Sequence, residues 1–205
     1  MNRHLIIFVK NPELGKVKTR IAATAGDAQA LTIYQHLLGI SQSNIHKLDC
    51  KVHIYYSSFI DDQDLFNGAN MNKNIQVAGD LGEKMKSAFR DIFDQISGTV
   101  ARAKVVIMGS DCPDLTSKMI GQAFDNLEKH NVVIGPTFDG GYYCIGMDDF
   151  YPELFTDVIW STADVYSKTI QNTEKQKLTY IKLPTLHDID HEEDWIAYQR
   201  RINSI

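Results

Sequence analysis

Five short stretches carry the side chains able to do chemistry. Met108-Gly109-Ser110-Asp111-Cys112-Pro113-Asp114-Leu115 follows the apolar run Val105–Met108, so Asp111 falls just past the carboxyl end of a predicted buried strand. In open α/β sheets ligands bind at that edge. Two carboxylates separated by Cys-Pro suit a hard divalent cation better than a thiol-loving one. The simpler alternative is a solvated Asp turn that caps the next helix.

The second stretch runs from Lys10 to Arg20. It places Lys10, Lys16, Lys18 and Arg20 in one loop after the first strand, with only Glu13 to offset them. Backbone N–H groups, Gly15 for close approach and the cations make a phosphate cradle. It is not a P-loop, because Lys10 stands at the first glycine position and Val17 follows Lys16. A solvated basic loop is the plainer reading. In Gly79-Asp80-Leu81-Gly82-Glu83-Lys84-Met85, two glycines precede a strong helix, a tight entry where a base or ribose could approach the backbone. A plain helix start has the same composition.

The fourth stretch, Gly135 to Tyr143, contains Asp139-Gly140-Gly141-Tyr142. It would bring main chain close to a ligand with Asp139 pointing at it, although an ordinary hairpin turn predicts the same residues. The fifth is His187-Asp188-Ile189-Asp190-His191-Glu192-Glu193-Asp194. Asp190 caps the last helix in the simplest reading; alternatively Asp188 or Asp190 is a second carboxylate for a metal at Asp111. A zinc site at His187 and His191 lacks an evident third ligand. Cys112 has no C-x5-R signature, and G-x-S-x-G is absent, so neither a thiol nor a serine nucleophile is indicated.

Strand-like and helix-like segments alternate around these stretches. Strands are predicted at 5–9, 52–56, 75–77, 105–108, 132–136, 142–147 and 178–183. Helices are predicted from about Asp27 to His46, Leu81 to Ile96, Thr116 to about His130, Thr162 to Lys175 and Glu192 to Ile202. This β-α-β-α alternation with a mixed edge predicts a three-layer α/β/α sandwich, with residues 1–205 as one domain. A hydrophobic content of 43% is ordinary for a globular protein, and no apolar run reaches membrane-span length. The N-terminus reads as a buried strand and not as a signal peptide. Three scattered cysteines argue for a reducing, cytoplasmic setting, and a net charge of −5 disfavours nucleic-acid binding.

Taken together and in order, Phe8-Val9-Lys10-x-Pro12-x-x-Gly15-x-Val17-Lys18-Thr19-Arg20, Gly79-Asp80-Leu81-Gly82-Glu83, Gly109–Leu115, Asp139-Gly140-Gly141-Tyr142 and Asp188-Ile189-Asp190 resemble one family. It is the bacterial group of GT-A-like transferases in the nucleotide-diphospho-sugar transferase superfamily. More distant relatives include molybdenum cofactor guanylyltransferase and 2-phospho-lactate guanylyltransferase. The resemblance covers nearly the whole chain and implies a Rossmann-like GT-A fold with a mostly parallel mixed sheet. It implies that Lys10, Gly15, Lys18, Thr19, Arg20, Gly79, Leu81 and Gly82 bind nucleotide, and that Asp111 and Asp190 hold Mg2+ or Mn2+. Asp139, Gly140, Gly141 and Tyr142 would meet the donor or acceptor, with Asp111, Lys18, Arg20 and Asp139 as the catalytic set. The first loop departs from the G-x-S-x-R type of the guanylyltransferases, which leaves base identity, and nucleotidyl versus glycosyl transfer, open. The expected partners are a nucleotide or nucleotide-sugar and a small acceptor. The alternative is a nucleotide-binding protein without turnover.

Overall fold

The computed structural model describes residues 2–98 and 103–204. Seven strands form one sheet in the order β3-β2-β1-β4-β6-β5-β7. They are β1 (Arg3–Val9), β2 (Lys51–Tyr56), β3 (Met71–Ile75), β4 (Lys104–Met108), β5 (Val132–Pro136), β6 (Tyr142–Met147) and β7 (Tyr180–Lys182). The helices are α1 (Thr19–Ala25), α2 (Asp27–Ile45), α3 (Leu81–Ile96), α4 (Ser117–Asn126), α5 (Val165–Lys175) and α6 (Glu192–Ile202). This is the expected three-layer α/β sandwich with a mostly parallel sheet.

Period-two alternation sorts the strand residues between the faces. Leu5, Ile7 and Val9 of β1 pack with Tyr34 and Leu38 of α2 and with Ile120 and Phe124 of α4. Ile6 faces the other way, into Met85, Phe89 and Ile92 of α3 and Leu154 and Phe155 of a short 3-10 turn. Both faces of β1 and β4 are therefore buried, which is why these strands read as continuous apolar runs. A third cluster joins Ile21 of α1, Ile33 and Leu37 of α2, and Trp195 and Tyr198 of α6. It clamps the ends of the chain together on one side of the functional edge.

The predicted mixed edge is an interior feature. β6 runs antiparallel to both of its neighbours, β4 and β5, while β7 is parallel to β5. The hairpin through Asp139-Gly140-Gly141 folds β6 back between β4 and β5. The start of β6 consequently lies at the same sheet edge as the carboxyl ends of β1, β4 and β5. Other differences are local. β3 lies before the expected Ile75–Val77, because its edge position tolerates Asn72, Lys73 and Asn74, which mask the strand signal. α4 stops at Asn126, short of the expected His130. α1 has only seven residues and was not anticipated.

Beneath this sheet, His4 and His53 pair across β1 and β2. His4 Nδ1 lies 3.0 Å from His53 Nε2, and the rings stack at 5.3 Å. Both are 3% exposed, so one ring donates to the lone pair of the other and neither accommodates a second proton cheaply. Burial first, then the charge of His4 and of Lys51, pushes His53 down to about 4. A histidine whose folded pKa lies below its unfolded value stabilises the fold above the unfolded pKa and loses that contribution as pH falls. The stability should drop by on the order of 3 kcal/mol between pH 6.5 and pH 4 through His53. NMR titration of the ring protons checks this: His53 should remain neutral well below pH 6, and a midpoint at 6.5 would contradict the buried pairing.

Candidate functional site

The loop after β1 is shaped by burial of Val17 and by a left-handed turn at Lys18, with φ 46° and ψ 47°. That conformation costs a non-glycine residue roughly 1 kcal/mol, and the contacts of the side chain offset it. Lys18 Nζ donates to Ile189 O at 2.6 Å, lies 2.9 Å from Asp111 Oδ1 and 3.6 Å from Asp190 Oδ1. The Lys18 side chain is only 7% exposed. Arg20, the second residue of α1, donates to Asp190 Oδ2 at 2.5 Å. Residues from both ends of the chain thus meet at one ammonium group.

Asp190 does not cap α6, contrary to the simplest sequence reading. Asp194 does so instead, its Oδ2 accepting from the N–H groups of Asp190 and His191 at 3.1 and 2.7 Å. The Asp190 carboxylate is thereby left to Lys18 and Arg20. A parallel division occurs in Asp111-Cys112-Pro113-Asp114. Asp114 accepts from Arg201 of α6 at 2.5 Å, and Thr116 caps α4 by accepting from Met119 N–H. The two carboxylates of that motif therefore do not act as a pair. Asp111 is fixed through its backbone, whose carbonyl accepts from Ile189 N–H at 2.9 Å. Its Oδ1 is buried and faces the Lys18 ammonium without hydrogen-bond alignment, while the side chain as a whole is 45% exposed. Its second oxygen is the one open to the cavity.

Three other carboxylates converge. Asp139, Asp188 and Asp190 each offer an oxygen within 4.8 Å of the others. Asp190 belongs both to this group and to the expected Asp111/Asp190 pair; Asp111 itself stands outside the group, across the Lys18 ammonium. Asp139 also shapes its turn, with Oδ1 accepting from the Thr137 hydroxyl and from Gly141 N–H at 2.5 and 3.0 Å. Burial, reinforced by the charges of Asp139 and Asp190, pushes the Asp188 carboxyl up to about 6. An all-carboxylate donor set of this kind fits a hard divalent cation and not the His187/His191 zinc site. His187 instead stacks on Phe138 at 4.1 Å.

These groups line a cavity of about 660 Å3 along the carboxyl edge of the sheet. Lys10, Lys18, Thr19, Arg20 and Leu81 reach it, as do Asp111, Asp139, Gly141, Tyr142 and Asp190. Gly15, Gly79, Gly82 and Gly140 do not line it. Two of these glycines seat a segment that sequence reasoning missed. A Cβ on Gly82 would fall 2.4 Å from Trp160 Nε1, and one on Gly140 would fall 2.1 Å from Ala163 O. Trp160, Ser161, Thr162 and Ala163 form a wall of the cavity in consequence, and Lys84 enters from α3. Trp160 follows the short apolar pair Val158-Ile159 in a stretch with neither helical nor strand periodicity, so nothing in its spacing marks it. Tyr34 supports the floor, donating to Lys10 O and accepting from Lys10 N–H at 3.0 and 2.9 Å. Burial and the Asp111 charge keep its phenol protonated.

A family profile described as "Uncharacterized protein conserved in bacteria (DUF2064)" matches residues 42–162. The chain belongs to this family. No curated protein matches the sequence. Among solved structures, it is similar to a candidate nucleotide-diphospho-sugar transferase from Desulfovibrio desulfuricans G20, with 34% identity over 93% of this chain and 83% of the other and a TM-score of 0.83. It shares its fold with 4-diphosphocytidyl-2C-methyl-D-erythritol synthase from Anaerococcus prevotii DSM 20548, at 12% identity, 97% and 96% coverage and a TM-score of 0.58. A cytidylyltransferase from Leptospira borgpetersenii serovar Hardjo-bovis shares it too, at 16% identity, 100% and 88% coverage and a TM-score of 0.57. The fold is therefore that of the nucleotide-diphospho-sugar transferases and cytidylyltransferases.

Asp139, Asp188 and Asp190 thus concentrate three like charges, and the pull of Lys18 on Asp188 is outweighed by burial and by its two acidic neighbours. In such a cluster removing one charge relieves repulsion. Asp188→Asn should raise stability by about 1–2 kcal/mol at pH 7 in the presence of a chelator, visible as a melting-temperature rise of several degrees, and it should reduce any stabilisation by Mg2+ or Mn2+. A lower melting temperature in chelator would show that Asp188 is held by contacts other than its acidic neighbours.

Proposed function

We propose that this protein is a metal-dependent transferase whose donor is a nucleoside triphosphate or a nucleotide-sugar. The observation that carries the reading is the Lys18 ammonium, held by Asp111, Ile189 O and Asp190 beside a group of carboxylates. Its place at the carboxyl edge of a parallel sheet is where such folds bind nucleotides. The similarity to the Desulfovibrio protein, described as a candidate nucleotide-diphospho-sugar transferase, supports the same donor class.

In this proposal Asp190, with Asp188, would hold Mg2+ or Mn2+, Asp111 offers its cavity-facing oxygen, and Asp139 keeps its second oxygen free of the metal. A cation bound there supplies charge to the donor's phosphates. Lys18 and Arg20 bind the phosphate oxygens and stabilise the negative charge that accumulates on the departing group. Lys18 is suited to this because its position is set in advance by the fold and costs little reorganisation. The attacking oxygen of the acceptor forms a bond either to the α-phosphorus or to the anomeric carbon. The bond to pyrophosphate or nucleoside diphosphate breaks with its electron pair leaving on that group. Where the attacker is a hydroxyl, its proton passes to Asp139, whose carboxylate lines the same cavity.

Leu81, exposed at the start of α3, provides apolar surface for the nucleoside. Gly79 and Gly82 act indirectly. Gly79, with φ 119°, lets Asp80 cap α3 by accepting from Glu83 N–H at 2.9 Å, and Gly82 admits Trp160.

Equilibrium titration with nucleoside triphosphates and nucleotide-sugars in Mn2+ buffer tests the role of Lys18. Lys18→Ala should weaken binding of the preferred nucleotide, or lower kcat/KM with it, by about tenfold or more. Unchanged affinity and turnover in that variant would remove Lys18 from the phosphate site.

A further inference from the structure

The cavity has two ends, and they differ in chemistry. Along the sheet edge its lining passes from Gln76 after β3, through Phe8 of β1 and Asp111 after β4, to Tyr142 of β6 and Thr137 after β5. The phosphate-binding cations Lys18 and Arg20 lie in the middle. On α3, Leu81 and Met85 face the cavity one turn apart. Lys84 lies about 60° to one side of Leu81, and Gly82, which carries Trp160, about 100° to the other. Lys84 therefore projects to the side of Leu81 opposite Trp160, whose segment is seated on Gly82 and, through Ala163, on Gly140 beside β6.

The wall residues Trp160, Ser161, Thr162, Tyr142 and Thr137, with Asp139, include no lysine or arginine; the cations of the cavity lining are Lys10, Lys18, Arg20 and Lys84. The only formal charge of the wall residues is a carboxylate. The wall is built at some cost. Asp157 and Ser161, on either side of Ile159 and Trp160, have φ of 55° and 63°. Left-handed backbone at non-glycine residues persists only where the surroundings over-determine it. Here the seat consists of Gly82 under Trp160, Gly140 under Ala163, and Tyr166 N–H donating to Gly140 O at 2.9 Å. The Ser161 hydroxyl makes no hydrogen bond within the described residues, and the Trp160 indole is only partly buried against Phe155.

We propose that this wall, with Trp160 as its selecting residue, binds a neutral, hydroxyl-bearing acceptor that presents a flat face, and disfavours a phosphorylated one. The inference rests on the transferase reading and adds the chemical class of the second substrate. A phosphate placed here finds no lysine or arginine on the wall itself, and in the transferase reading the nearby cations, Lys18, Arg20 and a metal ion on the carboxylates, are engaged by the donor's phosphates. A neutral hydroxyl group finds hydrogen-bonding partners in Ser161 and Thr162 and a proton acceptor in Asp139, while the indole face covers the flat side of the molecule.

Phenyl β-D-glucopyranoside and phenyl phosphate serve as neutral and anionic probes, each titrated by calorimetry in chelator so that no cation on the carboxylates draws in the phosphate, with nucleotide affinity measured separately in Mg2+ buffer. Emission of Trp160 in a Trp195→Phe background reports the same binding, since Trp195 lies in the separate cluster with Tyr198. The glucoside should bind and change Trp160 emission, with phenyl phosphate at least tenfold weaker. Trp160→Ala should weaken the glucoside about tenfold, Trp160→Phe should restore most of the loss, and nucleotide affinity should stay within twofold in both. Tighter binding of phenyl phosphate, binding of neither probe, or an equal loss of nucleotide affinity in Trp160→Ala would overturn the proposal. Glucoside binding through Trp160 in a protein that binds no nucleotide would support the wall while contradicting the transferase reading.

Discussion

The arrangement depends on one ammonium group. Lys18 ties the loop after β1 to the segment after β4 and to the residues that precede α6, three parts of the chain far apart in sequence. Its contacts with Asp111, Ile189 O and Asp190 hold the loop in a left-handed turn that it would not otherwise adopt. The Ile189 N–H bond to Asp111 O closes the same link through the backbone. The ammonium is little screened by solvent but shares its charge with Asp111 and Asp190, so an entering phosphate meets a pre-positioned cluster in which Arg20 is the exposed cation.

Charge is laid out along the sheet edge in an order that suits group transfer. Positive charge collects in the middle, where the phosphates of a donor would lie. Carboxylates gather beside it at Asp139, Asp188 and Asp190, and a neutral aromatic and hydroxyl surface follows. The reversed strand β6 makes this order accessible. By running antiparallel between β4 and β5, it brings Tyr142 and the Asp139 turn to the edge where the parallel strands end. An all-parallel sheet would have carried those residues to its opposite end.

Much of the fold was legible because burial on both faces writes continuous apolar runs into β1, β4 and β5, and one-sided burial writes helical spacing into α3. The site was legible where charge is concentrated, at Lys10–Arg20, Asp111 and Asp188–Asp190. It was not legible where a residue acts through shape. Gly82 and Gly140 look like ligand-approach glycines, yet what they admit is the protein's own Trp160 and Ala163. Asp190 looks like a helix cap, and only the presence of Asp194 in the first turn of α6 frees it. Asp111 and Asp114 look like a ligand pair until Arg201, 87 positions away, claims one of them. Such competitions are decided by tertiary neighbours, which local spacing does not record.

The central claim is that the acidic group and Lys18 together form a metal–phosphate site. Melting curves of the wild-type protein with a panel of nucleoside triphosphates and nucleotide-sugars, each with Mg2+, with Mn2+ and with chelator, test it most directly. A ligand at about 100 times its Kd adds roughly 2.7 kcal/mol of stability, well within reach of the method. The account predicts that one nucleotide class raises the melting temperature in the presence of metal and has little effect in chelator. A panel in which no nucleotide shifts the curve, or in which the shift is the same with and without metal, would contradict it.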